Sequence, residues 1–343
     1  MNILANDSSG VLRLLGRFMA VMRFRQAVVA ALADEMRSDE TVIFFGEDVA
    51  EAEGPFKTSE GLLEEFGPLR VGAAVGAAIM GTKPVVEIMF MEFLGVALDQ
   101  VVTEAAKMRY LSSGTLSVPM VVRASVGSGL GFGSQHSQTL ENWVSATPGL
   151  KVVSPSNAQS AYSLLRAAIQ DPDPVIVLEP RILYAERGEV DRSQIAKLGK
   201  AQMLRKGNDI TVVSLGQMVN VSAAAINSSG IDAELIDLMT IVPWDRAAVL
   251  ESVRKTGRLV VVEESPLSGG WGSEIIAVVT AELFSSLKSA PFRITTPDVP
   301  VPFNGVLESR FVPTEEDVVR QLTHVITHKD SPKAWWILEG IHS

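Results

Sequence analysis

The 343-residue chain contains no cysteine. That removes disulfides, thiolate metal sites and cysteine nucleophiles together, and it fits a reducing compartment such as the cytoplasm. Basic residues are not in excess: 30 Lys and Arg stand against 40 Asp and Glu, for a formal net charge of −10. A nucleic-acid surface needs clustered Lys and Arg, so no nucleic-acid partner is expected. No long block of like charge marks a disordered tail. The mean hydropathy of +0.23 is high, yet an unbroken apolar run is missing. The most apolar stretch, 71–90, is interrupted by Lys83, Pro84 and Glu87, whereas a spanning helix takes roughly twenty mostly apolar residues. The apolar content therefore belongs to cores or a subunit interface, and no membrane partner is expected.

Two phosphate-binding signatures are also lacking. Gly127, Gly129, Gly131 and Gly133 recur at every second position, and no register among them supplies the G-x-G-x-x-G of dinucleotide binding. Residues 76–83, GAAIMGTK, come near a phosphate loop, but Thr82 and Lys83 stand in the wrong order. His324 and His328 are four apart on an expected helix without the intervening acid of H-E-x-x-H, so they read as a solvated face.

What is present is a regular alternation. TVIFFG (41–46), PVVEIMF (84–90), VPMVVRA (118–124), LKVVSP (150–155) and PVIVLEP (174–180) are strand-like in the first half; DITVVSL (209–215), AELIDL (233–238) and RLVVVEE (258–264) in the second. They are β-branched and continuous, as in strands buried on both faces. Helix-length patterns such as 94–109 and 158–169 lie between them. Strand–helix alternation implies an α/β fold of two open parallel sheets with helices on both sides. The polar segment 187–208 reads as an interdomain connection. The expected division is an extension 1–21, with the natural start at Met22, a first domain 22–195, a linker 196–204, a second domain 205–328 and a tail 329–343. The extension carries Arg13 and Arg17 but lacks the apolar core of a secretion signal. The tail has no evident place in either domain, although Trp335 and Trp336 suggest that it docks.

The stretch GSGLGFGSQHSQ, 127–138, holds the only histidine outside the last twenty residues. Glycine lets a backbone approach a ligand closely, and ligands of open α/β sheets sit beyond strand ends. Two readings stand at this point: a ligand-facing histidine, or a plain loop with a hydrogen-bonded one.

Several motifs together carry a resemblance. GEDV (46–49), KTSEGLLEEFG (57–67), PVVEIMFMEF (84–93), DQVVTEAAKMRYLSSG (99–114), QHSQ (135–138), TPGLKVVSPS (147–156), AAIQDPDPVIVLEP (167–180), KTGRLVVVEE (255–264) and TPDVPVPF (296–303) occur in order over residues 22–326. The chain resembles the β subunit of the E1 component of thiamine-diphosphate-dependent 2-oxo acid dehydrogenases, a group that includes the acetoin dehydrogenase β subunit. The resemblance implies a transketolase-like pyrimidine-binding domain followed by a transketolase C-terminal domain. It implies an α2β2 heterotetramer with an E1 α subunit, serving an E2 acyltransferase with its lipoyl domain. The α subunit would hold the diphosphate and most of the Mg2+ coordination through a G-D-G…N motif, and no GDG occurs here. Carried over by motif, Phe93 packs against the aminopyrimidine, His136 is the catalytic histidine that moves protons and positions substrate or lipoyl group, and Glu47 lies near the cofactor. Ala168, Asp171 and Asp173 mark a loop that holds a monovalent cation such as K+ in some members, through oxygen ligands. Pro300, Pro302 and Phe303 mark a connection within the second domain.

One departure matters. Where the family runs from FGPxRV into x-D-T-P-I-x-E, Val71 here passes directly to Gly72. About ten residues, an ordinary loop length, have no counterpart, among them the glutamate that hydrogen-bonds pyrimidine N1′ and drives the acid–base chemistry. The sequence as read omits residues, or the segment is deleted, or another carboxylate takes the role. Ser59-Glu60, on an expected helix, and Glu87 and Glu92, on the matched strand region, are not evident substitutes. Two functions are carried forward: an E1 β subunit acting with α on a 2-oxo acid or acetoin, and a non-catalytic assembly subunit of the same complex. Substrate identity is not legible, since one methylene is worth only about 1–3 kcal/mol of discrimination.

Overall fold

A computed structural model of the chain describes residues 19–46, 48–49, 52–66, 74–338 and 340. Glu47 and the Val71–Gly72 junction lie outside the described residues. In chain order the strands are β1 (Met19–Arg23), β2 (Val42–Gly46), β3 (Lys83–Ile88), β4 (Val121–Val126), β5 (Lys151–Val153), β6 (Val175–Pro180), β7 (Arg187–Asp191), β8 (Gln202–Arg205), β9 (Ile210–Ser214), β10 (Ala233–Asp237), β11 (Thr240–Val242), β12 (Leu259–Pro266) and β13 (Phe292–Thr296).

Two larger sheets hold all of them but β1 and β7, which pair with each other. The first runs β11-β5-β6-β4-β3-β2 and the second β13-β12-β9-β10-β8. Each is parallel except for one antiparallel edge strand, β11 against β5 and β8 against β10. The expected α/β class stands, with the two sheets mixed at one edge. The central strands β4, β6, β9 and β10 are buried along their whole length. Helices cover both faces, which explains the consecutive Val and Ile residues of β4, β6 and β9.

The helices start where local chemistry favours them. Asn157 caps the helix Ala158–Gln170 by accepting the Ser160 N–H at 2.9 Å. Thr314 caps Glu315–Thr327, whose first turn carries three acids. Both place acceptors on backbone donors that have no partner within the helix. The expected helix 94–109 is instead a short α-helix, a π-helical stretch Asp99–Ala105 and a final turn Met108–Leu111. The Ala106 N–H reaches back five residues to Val101 O at 3.0 Å. Ser59 and Glu60 form a bend and a turn rather than a helix, which begins at Leu62.

Three boundaries differ from expectation. The extension expected over 1–21 ends in a strand, because β1 begins at Met19 and pairs antiparallel with β7. The connection 187–208 contains two strands, β7 and β8, and the expected linker 196–204 runs into β8. Both are edge or isolated strands with much solvent-facing surface, so their polar sequences carry no buried-strand signal. The tail belongs to the second core: Trp335 and Trp336 are buried among Ile210, Val260, Ile294 and Leu322, and the Trp335 indole N–H donates to Thr295 O at 2.9 Å.

That docking predicts that Trp335→Ala costs about 3–5 kcal/mol of stability, the usual range for a large aromatic removed from a core. Denaturant unfolding checks it; a loss below about 1 kcal/mol, typical of a surface site, would contradict the packing.

Candidate active site at the carboxyl ends of the first sheet

The parallel strands β2, β3, β4 and β6 all end at one rim. Phe90 and Phe93 follow β3, the glycine loop 127–138 follows β4, and Arg181 and Tyr184 follow β6. Ligands of open parallel sheets bind at such rims. Phe93 and His136 meet there with ring centres 5.4 Å apart and planes at 82°. Phe90 stands edge-on to both, 4.7 Å from the imidazole and 5.6 Å from Phe93. Phe56 and Phe132 extend the aromatic cluster. Phe93 and Phe132 are each 40% exposed, so the cluster presents an aromatic wall rather than a sealed core.

Beneath the wall lies Arg181, which is buried. Its guanidinium carbon sits 4.7 Å from the Phe90 ring centre and 5.0 Å from that of Phe132. It donates to Gly127 O at 2.7 Å, to Ser125 Oγ at 2.9 Å and to the His136 carbonyl. Burial pulls its pKa down, opposed by surrounding acids. A cation held by carbonyls and ring faces in this way fixes the strand end, the loop's start and the histidine together.

The loop's N–H groups face the second half of the chain. Gly127, Gly129, Gly131 and Gly133 all have φ between 70° and 96°, conformations that exclude most side chains; this accounts for glycine at every second position. Ser128 N–H and Oγ both donate to Glu264 Oε1 at 2.8 Å. Glu308 Oε1 accepts Gly129 N–H at 2.8 Å and Glu308 Oε2 accepts Gly131 N–H at 2.9 Å. Ser134 Oγ donates to Val301 O at 2.6 Å. A Cβ on Gly133 would meet the Phe303 ring at 2.9 Å. The segment expected as a connection within the second domain is therefore packed onto the loop of the first.

The neighbouring carboxylates divide by their partners. Glu87 and Glu179 are committed to Arg123 across adjacent strands, at 2.7 and 2.8 Å. Thr58 also donates to Glu87, and Tyr184 to Glu179, each at 2.9 Å. Burial disfavours the Arg123 charge, but the two carboxylates outweigh it and hold the guanidinium above its ordinary pKa. Glu92 differs. Its Oε1 accepts the Gln138 N–H at 2.7 Å, while its buried Oε2 has no hydrogen-bond partner. Burial raises its pKa, opposed by the Gln138 N–H and by the charges of Arg181 and His136.

The loop expected to bind a monovalent cation lies elsewhere. Lys151 Nζ reaches both Asp171 carboxylate oxygens at 2.7 Å and Asp173 at 3.4 Å, and Arg109 also pairs with Asp173. The Ala168 carbonyl accepts the Asp171 N–H at 3.2 Å. The protein's own cations neutralise both carboxylates, so an ion there would rest on main-chain carbonyls alone. No group of three or more His, Cys, Asp or Glu suited to a metal occurs among the described residues. A cleft of about 850 Å3 borders this loop, with Arg109, Tyr110, Lys151 and Pro243 in its lining, and shares no residue with the aromatic wall. No helix among the described residues is long and apolar enough to cross a membrane.

Comparison with known proteins supplies the family. Residues 20–187 match the transketolase pyrimidine-binding domain and residues 199–318 the transketolase C-terminal domain. The chain is 42% identical over 318 residues to the rice protein "Pyruvate dehydrogenase E1 component subunit beta-2, mitochondrial", covering 87% of this chain and 85% of that one. It is 43% identical over 320 residues to the Rhizobium meliloti pyruvate dehydrogenase E1 component subunit beta, covering 89% and 70%. The Bacillus subtilis acetoin:2,6-dichlorophenolindophenol oxidoreductase subunit beta is 37% identical over 326 residues, covering 87% and 95%. The chain belongs to the E1 component β-subunit family. A solved structure titled "Split gene transketolase, inactive beta4 tetramer" shares the fold, with a TM-score of 0.71 and 23% identity over 90% of this chain and 99% of that one.

Sequence reasoning singled out Phe93 and His136, which the fold brings together. It passed over Phe56, Phe90, Phe132 and Arg181 beneath them, and Glu264 and Glu308 behind the loop. Arg181 lies in PRILYAERG, which reads as a surface turn; Glu308 lies in an unremarkable NGVLES. Only three-dimensional pairing distinguishes them.

Glu141 adds a pH signature at the junction between the two halves. It is buried, accepts a hydrogen bond from Ser265 Oγ at 3.0 Å and lies near Glu263 and Glu264. Burial raises its pKa from 4.5 to about 7. The folded state therefore binds its proton more tightly than the unfolded chain. Its contribution favours folding at low pH and is lost as pH rises from about 4.5 to 7, by about 1.4 kcal/mol for each pH step of one across that window. Glu141→Gln keeps an acceptor for Ser265 without the charge. The variant is expected to be more stable than the native chain at about pH 8, above that window, with the gap closing towards its acid end; denaturant midpoints at the two extremes check this.

Proposed function

We propose that the chain is the β subunit of an E1 component acting with an α subunit on a 2-oxo acid or acetoin, as an oxidoreductase that passes the acyl group to a lipoyl domain. The observation that carries this is the placement of Phe93 beside His136 at the strand-end rim, in a chain 37–43% identical to pyruvate dehydrogenase E1 and acetoin oxidoreductase β subunits. Thiamine diphosphate, when bound, supplies a nucleophilic carbon and an electron sink. The residues present suit one end of it. Phe93 offers a half-exposed ring for a flat heterocycle, and Glu92 Oε2 is a buried acceptor without a partner.

The chain's own contributions follow. The edge-on contacts with Phe90 and Phe93 orient the His136 imidazole, and Arg181 fixes its main chain. A ring held in this way moves a proton between one of its nitrogens and the reacting carbonyl oxygen. The aromatic wall excludes water on one side of the reaction. We assign the cofactor's anionic end and its Mg2+ to the α subunit on the family resemblance. Met80, Val96, Tyr110 and Leu111 are apolar and 70–93% exposed, which supports a partner surface for α and, in an α2β2 assembly, a second β. A role for K+ at Ala168, Asp171 and Asp173 has support only from main-chain oxygens. Glu47 stays a candidate on sequence grounds alone.

We read the first sheet as the pyrimidine-binding domain and the second as the C-terminal domain, with the E2 acyltransferase as the further partner. A cytoplasmic location rests on the absence of cysteine; the plant, yeast and fly relatives are named as mitochondrial. The assembly-only reading is not favoured, because the wall and histidine are kept and the relatives are E1 β subunits.

The test is reconstitution with an α subunit. Turnover of a 2-oxo acid or of acetoin is expected only with both chains present. His136→Ala is expected to lower kcat by about 10^2–10^4-fold, the range for general acid–base catalysis. An assembly that binds thiamine diphosphate yet turns over neither substrate class would favour the assembly-only role.

A further inference from the structure

Four successive contacts join the segment 301–308 to the loop that carries His136. Val301 O receives Ser134 Oγ, the Phe303 ring lies against Gly133, and the two Glu308 oxygens receive the N–H groups of Gly129 and Gly131. Glu308 is 4% exposed and ends the four-residue helix Gly305–Glu308. The bidentate contact requires both N–H groups to point the same way, which the positive φ of Gly129 and Gly131 provides. Arg181 in turn holds the carbonyls of Gly127 and His136. The loop's backbone is thus divided, donors to a carboxylate of the second half and acceptors to a cation of the first.

We propose that Glu308 is a positioning residue for His136, setting the loop geometry from the second domain without touching the reacting atoms. The catalytic part of this rests on the E1 reading above; the structural part does not. The chemistry is specific to a carboxylate. Each oxygen takes one N–H, whereas a glutamine has one acceptor and would turn an NH2 donor toward the other N–H. Aspartate keeps both acceptors on a shorter stem.

The test compares the full native chain with Glu308→Gln and Glu308→Asp. Three measurements are made: hydrogen exchange of the peptide 127–138, the Cε1–H resonance of His136 in selectively labelled chain, and kcat and KM after reconstitution with α. In Glu308→Gln, loop exchange is expected to quicken about tenfold or more, as befits loss of a charge-assisted bond. The His136 resonance should leave the position set by Phe90 and Phe93, and kcat should fall by a similar factor with KM changed less. Glu308→Asp should recover part of each effect while both variants melt cooperatively. Unchanged loop exchange and an unchanged His136 resonance in Glu308→Gln would overturn the proposal. So would faster exchange with the resonance and turnover both intact. If the native assembly itself turns over no substrate, the E1 reading fails, and the His136 resonance alone decides the positioning role.

Discussion

The structure depends on how one loop's peptide groups are satisfied. A glycine-rich loop beyond a strand end has many donors and acceptors and few side chains to serve them, and buried peptide groups must be paired. Here a buried guanidinium takes the carbonyls and two buried carboxylates take the N–H groups. Opposite charges on the loop's donors and acceptors give charge-assisted bonds, the stronger class. They also give the loop a direction, because exchanging the two charges would set like against like. The partners come from both halves of the chain, so the rim of the first sheet is complete only when the second sheet is in place.

The same separation of charge recurs beneath the rim. Glu87, Arg123 and Glu179 lie across three neighbouring parallel strands, and all are buried. Buried ion pairs of this kind are not strong evidence of net stability, because desolvation offsets most of the attraction. Their consequence is geometric. With the carboxylates also taking Thr58 and Tyr184, the strands β3, β4 and β6 are tied in register at their carboxyl ends. Phe90, the glycine loop and Arg181 therefore leave the sheet from fixed points.

Legibility in the sequence followed burial. β3, β4, β6, β9 and β12 each carry consecutive Val or Ile residues because both of their faces are covered, and they stand out without any partner being known. β1, β7, β8 and β11 are edge or isolated strands; their identity lies in pairings such as Met19 with Asp191 and Leu235 with Arg205, which local composition does not encode. The π-helical stretch at Asp99–Ala105 escaped for a related reason, since its apolar spacing is close to that of an ordinary helix. In the site, an aromatic in a family motif and a lone histidine after a glycine loop were visible. The residues that hold them were not, because an arginine or glutamate that bonds to distant main-chain groups looks like any surface charge until the chain is folded.

The acid–base question raised by the direct passage from Val71 to Gly72 turns on the same accounting. A carboxyl can exchange a proton with a bound group only if an oxygen is not already engaged. Glu179 meets Arg123 with both oxygens and Tyr184 with one, and Glu87 takes Arg123 and Thr58 on Oε2, so protonating either would weaken a buried ion pair. Glu264 and Glu308 are engaged by the loop. Glu92 has no cation partner and keeps a buried oxygen without a hydrogen bond, beside Phe93 and within reach of the fields of His136 and Arg181. Burial pushes its pKa upward, the direction that lets a carboxylic acid stay protonated nearer neutrality. Of these carboxyls, Glu92 is the one whose protonation disturbs least, and the wall that carries it is the wall that carries Phe93.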